Sequence, residues 1–296
     1  MMKILLATDG SAQSEEAARF VAGLELSEDD EVTVLHVIGG APPGRDEAAH
    51  QAALMEIKRK IAPRVLDSAL QAMGPLPARV STALVEGDPD RGIIEAAEEA
   101  GADLVVMGPR GMKGIKLFLI GSTTMSVAMN SPISTLVVKP SAGEGGQMRV
   151  LLATDGSDYA DNAAQALASM PLRGDTGIIV LSVLWTSYAD IPERFAGEID
   201  ERAKEAVAAM RSSEYLEADR VFEKSRRYLS RRFTDVEGVV KIGDPSDEIL
   251  KASEEFSVDM IALGSRGLRG IRGMLGSVSR NVLIHAQCPV LVGKGG

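Results

Sequence analysis

The chain has 296 residues, 45% of them hydrophobic and 25% charged, which supplies two domain-sized cores and excludes a disordered chain. A formal net charge of −10 argues against nucleic acid or an anionic membrane as the main partner. The single cysteine, Cys288, excludes an intrachain disulfide and a cysteine metal cluster; no run approaches the roughly 20 apolar residues of a membrane span, and the short start Met1 to Ala7 is no signal peptide, so a reducing cytoplasm is the expected location.

Lys3 to Ala7 is a continuous apolar run ending in Thr8, Asp9, Gly10 and Ser11, the pattern of a buried parallel strand, a tight turn and a helix capped by Ser11. Ala17, Ala18, Phe20 and Val21 mark the buried face of that helix. Glu31 to Val37 reads as the second strand, and Asp46 to Met73 as a long helix that Pro63 should kink or divide. Ala78 to Val85 is a third strand. Asp88 then stands as N-cap and Pro89 as first residue of a helix with Ile93, Ile94, Ala97 and Ala100 inward. Asp103 to Met107 is the fourth strand, followed by a glycine-rich loop, a helix from Gly121 to Met129, and a last strand from Thr135 to Val138.

The second half repeats the first. Met2 to Ser11 reads MKILLATDGS and Met148 to Ser157 reads MRVLLATDGS, 146 residues apart. Gly87, Asp88 and Pro89 return as Gly243, Asp244 and Pro245, and the loop Gly108 to Gly111 returns as Gly264 to Gly267, both 156 residues on. Such a period is too long for a solenoid, so each copy is a whole domain. The second set of strands falls near Arg149 to Ala153, Gly177 to Val183, Asp235 to Lys241, Asp259 to Leu263 and Pro289 to Val292. A longer helical region, Ile191 to Phe233, ends in Arg226, Arg227, Arg231 and Arg232, which reads as a solvated helix face ahead of a docking site for an acidic partner. The predicted division is residues 1–140 and 148–296, with the small polar linker 141–147 between them. The β-α alternation requires crossover connections and therefore, in each half, a doubly wound α/β fold with a five-stranded parallel sheet. The final strands would leave apolar edges, so pairing is expected between the halves, as an intramolecular pseudo-dimer, or between two chains, as a homodimer.

Open α/β sheets bind ligands at the carboxyl ends of their strands, where strand order reverses. There the first half places Gly108, Pro109, Arg110 and Gly111, then nine residues, then Gly121, Ser122, Thr123 and Thr124 at a helix start. Glycines let backbone amides approach an anion, and a helix N-terminus supplies unpaired N–H groups. Arg110, Lys113 and Lys116 add positive charge, and Asp9 can accept hydrogen bonds from ribose hydroxyls or an adenine amino group. Each element alone also fits a plain turn, but together, twice and in one order, they favour a nucleotide site.

These residues resemble the universal stress protein family in its tandem form. The opening ILLATDGS, the Gly-Asp-Pro turn and the pattern G-x2-G-x9-G-[ST], met by Gly108, Gly111, Gly121 and Ser122, carry the likeness, the last marking the ATP-binding branch. The second half has Gly264, Gly267, Gly276 and Ser277 with only eight residues in the gap, a departure that shortens the phosphate loop and makes the first site the expected stronger one, unless Gly270 and Gly273 absorb it. The resemblance implies the adenine nucleotide α-hydrolase-like fold with strand order 3-2-1-4-5. It also implies an ATP, ADP or AMP ligand, with Mg, and a role in stress response through an unidentified protein partner. The implied site is Ala7, Asp9, Val37, Met107, Gly108, Arg110, Gly111, Gly121, Ser122 and Thr123. Its second copy is Ala153, Asp155, Val183, Leu263, Gly264, Arg266, Gly267, Gly276, Ser277 and Ser279.

The sequence offers no dedicated catalytic set. There is no G-x-x-x-x-G-K-[ST] loop, and the three histidines are scattered: His36 in a strand as a satisfied core or crevice residue, His50 in a polar helix, and His285 beside Cys288 in a packing role. The expected protein binds a nucleotide without turning it over at a useful rate. An ATP-consuming hydrolase or transferase and a structural module with vestigial pockets are the competing readings.

Overall fold

A computed structural model describes residues 1–40, 48–110, 120–140, 146–184, 201–267 and 275–295. In the first half β1 (Lys3–Ala7), α1 (Ala12–Ala22), β2 (Glu31–Gly39), α2 (Ala48–Met73), β3 (Arg79–Gly87), α3 (Pro89–Glu99), β4 (Leu104–Met107), α4 (Ser122–Asn130) and β5 (Ser134–Val137) follow in order. The second half gives β6 (Arg149–Ala153), α5 (Asp158–Ser169), β7 (Gly177–Leu184), α6 (Glu201–Leu229), β8 (Asp235–Ile242), α7 (Pro245–Glu255), β9 (Met260–Gly264), α8 (Ser277–His285) and β10 (Val290–Gly293). Most of the expected linker, residues 141–145, lies outside the described residues.

Within each half every strand pair is parallel, and the orders β3-β2-β1-β4-β5 and β8-β7-β6-β9-β10 are both 3-2-1-4-5. Helices cover both faces, so successive residues of one strand enter opposite cores. Leu6, Val34, Leu66 and Leu152 belong to one cluster, and Leu5, Leu35, Ile93 and Leu151 to the other.

The two sheets are continuous. β5 and β10 pair antiparallel, with Val137 opposite Val290, Leu136 opposite Leu291 and Thr135 opposite Val292, to give one ten-stranded sheet. Leu136 and Leu291, both 0% exposed, mark a pseudo-twofold axis between the halves. The apolar edges are thus covered inside one chain, the pseudo-dimer that the sequence allowed.

Local signals explain most boundaries, and a few residues depart from expectation. The Ser11 and Ser157 hydroxyls accept the N–H groups of Ser14 and Ala160, each at 3.3 Å, and cap α1 and α5. Asp244 caps α7 through the N–H groups of Ser246 and Asp247, whereas Asp88, at the same place before α3, makes no side-chain cap. Pro63 does not divide α2, which runs through it. Phe20, Ile94 and Ala100 are only half-buried, because they lie at the margin of their helices' buried stripes. His285 is exposed at the end of α8 instead of packing, while Cys288 is buried. Of the basic run, Arg232 is held by its own half, donating to the Leu172 carbonyl, and Arg226 pairs with Glu223.

Two lysines fasten the halves about the axis. The Lys139 ammonium, just past β5, donates to the carbonyls of Ile284 at 3.3 Å and Ala286 at 2.6 Å, at the C-terminal end of α8. Lys294, just past β10, reciprocates by donating to the Met129 carbonyl at the end of α4, at 3.0 Å. A cation suits the negative end of a helix dipole. Burial nevertheless disfavours the charge and pulls each lysine down to about 8; for Lys294 the positive charge of Arg266 adds to the effect. Burial also pushes the Cys288 thiol up to about 11.

The sign of the pH dependence follows. Between pH 8 and 9 the unfolded chain keeps its lysine protons and the folded chain loses them, so stability rises with pH; above about 9 the Cys288 thiol, ionised only when unfolded, opposes the rise. Lys139→Met should roughly halve the gain between pH 8 and 9. Urea titrations at pH 7.5, 8.0, 8.5 and 9.0 check this, and equal slopes for variant and wild type would contradict it.

Candidate functional site

β1 lies between β2 and β4, with Ala7 beside both Leu35 and Met107, so the loops leaving β1 and β4 face each other where the winding reverses. In the second half Ala153 lies likewise between Leu181 and Leu263. The first loop is fixed by its own polar groups. Gly10 and Gly156 adopt φ of 76° and 78°, a left-handed turn that glycine takes without strain. The Asp9 and Asp155 Oδ1 atoms accept the N–H of Ser11 and Ser157, each at 3.1 Å, and Asp155 Oδ1 also accepts the Ser157 hydroxyl at 2.6 Å. These aspartates therefore hold the strand-to-helix turn, whatever else they bind. His36 straps the same turn: its Nδ1 lies 2.8 Å from the Thr8 carbonyl, which can only accept, so Nδ1 carries the proton.

The glycines of the second loop serve distinct purposes. A Cβ on Gly108 would stand 2.8 Å from the Gln13 carbonyl oxygen, and one on Gly264 would stand 2.6 Å from the Tyr159 carbonyl, so both are needed where the strand end meets the first helix. A Cβ on Gly267 would meet the Asp155 Oδ2 at 2.7 Å, which places that carboxylate directly over the loop. Gly121 and Gly276 are looser, with nearest contacts at 3.5 and 3.3 Å, and they cap α4 and α8. The Thr124 hydroxyl donates to the Gly108 carbonyl at 3.0 Å, and Ser279 to that of Gly264 at 2.7 Å. Ser279 thus matches Thr124 and not Thr123, and it ties helix to loop.

In the second half these parts enclose a cavity of about 390 Å³. All ten residues of the second predicted set line it: Ala153, Asp155, Val183, Leu263, Gly264, Arg266, Gly267, Gly276, Ser277 and Ser279. The shortened loop itself, residues 268–274 with Gly270 and Gly273, lies outside the described residues. One wall is apolar, including Leu181, Val183, Ile249 and Leu263, and the other carries glycines, Ser277 and Arg266. Leu181, Pro245 and Ile249 also line it and were not foreseen. Leu181 shares a sheet face with Val183, and Ile249 a helix face with Pro245, so the strand and helix periods were the signals available.

In the first half Ala7, Val37 and Met107 are buried at the matching places, with Val37 packed against Gly92. Asp9, Arg110, Gly121 and Thr123 are half-buried, Gly108 is buried and Ser122 is exposed. Gly111, Lys113 and Lys116 lie outside the described residues.

The sequence matches the Universal stress protein family twice, over residues 1–139 and 147–294. This chain belongs to the universal stress protein family. A universal stress protein of Mycolicibacterium smegmatis is 27% identical over 98% of this chain and 96% of its own. One from Methanocaldococcus jannaschii is 31% identical over 46% of this chain and 81% of its own, a single-domain match. Among solved structures, a universal stress protein from Archaeoglobus fulgidus shares the fold with a TM-score of 0.63 at 24% identity, over 99% of this chain and 98% of that one. The tandem universal stress protein fold thus accounts for the full sheet, both crevices included.

Because Gly264 is set by packing and Gly276 is not, their substitutions separate. Gly264→Ala should lower the stability of this universal stress protein by about 1–3 kcal/mol through overpacking, while Gly276→Ala stays within about 1 kcal/mol. Urea midpoints of the two variants decide the matter, and equal losses would show that the loop has no such division.

Proposed function

We propose that this protein is an adenine-nucleotide-binding universal stress protein, with ATP as the leading ligand, acting in the cytoplasm through a nucleotide-dependent surface presented to a protein partner. The observation that carries the reading is the second-half cavity. Its volume of about 390 Å³ lies in the roughly 300–1,000 Å³ range of small-molecule sites. Its walls divide as a nucleotide does: apolar side chains for a base, Asp155 for ribose hydroxyls, and Gly264, Gly267, Gly276, Ser277 and Arg266 for phosphates at the start of α8. Asp9, Arg110 and Gly121 are the first half's counterparts by sequence.

Mg would enter with the phosphates. Among the described residues no group of three His, Cys, Asp or Glu side chains is placed to hold a metal ion, and Mg commonly binds through substrate phosphates, one or two carboxylates and its own waters. Binding in place of turnover is the better reading, because hydrolysis needs a base or water-orienting group. Among the described residues no histidine lines the second cavity, and its one carboxylate, Asp155, accepts the Ser157 N–H and hydroxyl. A ligand at 100 times its Kd would stabilise the bound form by about 2.7 kcal/mol, enough to bias a partner surface.

Mass spectrometry of small molecules released from the purified chain, followed by titration calorimetry with ATP, tests the reading. Co-purified or titratable adenine nucleotide is expected, weakened about tenfold, or ~1.4 kcal/mol, by Asp155→Ala or Arg266→Gln. No heat and no released nucleotide would indicate vestigial pockets, and steady ADP release in proportion to protein would indicate a hydrolase.

A further inference from the structure

The two halves differ at the residue that faces the glycine loop from the first helix. In the first half it is Gln13, against Gly108; in the second it is Tyr159, against Gly264. Tyr159 does more than pack. Arg266 Nη1 donates to the Tyr159 hydroxyl at 3.0 Å, and the guanidinium carbon lies 5.1 Å from the ring centroid. The hydrogen bond fixes one end of the guanidinium and the ring constrains the rest. Arg266 is also part of the cavity wall, beside Gly264 and Gly267. Its anchor is rigid in turn, because the backbone of Tyr159 is pressed against Gly264 with no room for a Cβ between them.

We propose that Tyr159 is a positioning residue of the second site, holding the Arg266 guanidinium on the phosphate side of the cavity. This rests on the nucleotide reading above. An arginine hung from a loop loses side-chain freedom on meeting an anion, whereas one already docked on an aromatic ring loses less. The second half, whose loop is a residue shorter, thereby presents its cation from a fixed support. In the first half the same position is Gln13, which has no aromatic ring of its own.

The experiment uses the full chain and compares ATP with adenosine by calorimetry for wild type, Tyr159→Leu, Tyr159→Phe, Arg266→Gln and the double variant Tyr159→Leu/Arg266→Gln. Thermal melts confirm folding. Tyr159→Leu should weaken ATP at one site about tenfold and change adenosine less than about twofold, as expected when a fixed charge partner is lost. Tyr159→Phe, which keeps the ring, should fall between wild type and Tyr159→Leu. The double variant should be no weaker than Arg266→Gln, since the tyrosine acts only through the arginine. Unchanged ATP affinity in Tyr159→Leu, or equal loss of ATP and adenosine, would overturn the proposal while leaving nucleotide binding in place. A wild-type chain that binds neither ligand would overturn both readings. If Tyr159→Leu fails to fold, Tyr159→Phe and the Arg266→Gln cycle built on it decide alone, with wild-type ATP affinity in Tyr159→Phe counting against the proposal.

Discussion

The antiparallel pairing of Leu136 with Leu291 is the contact on which the arrangement of the molecule depends. A parallel five-stranded sheet has two edges, and in each half one of them is a short apolar strand that, left bare, would be a template for pairing with another chain. Pairing β5 with β10 removes both edges at once and sets the halves about a pseudo-twofold axis. The neighbouring contacts then follow from geometry. Lys139 and Lys294 reach across to the ends of α8 and α4, and on the opposite face the Glu25 N–H donates to the Pro171 carbonyl at 2.7 Å. Because the sheet is continuous, the strand ends that shape the two crevices are held in one rigid frame.

That frame changes what the loop glycines mean. Read as sequence, Gly108 and Gly264 are places where an anion can approach the backbone. In three dimensions they are first of all places where the strand end and the following loop touch the opening turn of α1 or α5. The two purposes are compatible: close packing of loop on helix brings the amides of the second loop, the first-loop aspartate and the start of α4 or α8 into one crevice. Thr124 and Ser279 reinforce it by donating to the carbonyls of those same glycines.

Much of this was legible because the signals are local. Apolar runs ended by Asp-Gly-Ser located β1 and β6, a serine cap opened α1 and α5, and the repeated Gly-Asp-Pro opened α3 and α7. The doubled order of elements and the resemblance together yielded the parallel sheets and their 3-2-1-4-5 order. Less legible were the facts that depend on distant partners. The pairing of β5 with β10 could equally have joined two chains, since an apolar edge does not name its partner. The engagement of Tyr159 with Arg266, 107 residues away, leaves no mark in either segment. The resemblance implies Thr123, whereas the helix phase turns the Thr124 hydroxyl toward the Gly108 carbonyl. His285 was assigned to packing from its position next to the last strand, but it falls at the exposed end of α8, where a polar side chain can face water.

The charges around the two junction lysines are not the same. Lys294 is held low by burial and by the positive charge of Arg266, and it donates to the last turn of α4, whose first turn borders the first crevice. For Lys139 the causes are burial, which lowers it, and the neighbouring Cys288 thiol, which raises it. The pseudo-twofold axis therefore relates two similar clasps, each a lysine donating to the last carbonyls of the other half's helix, that sit in different charge surroundings.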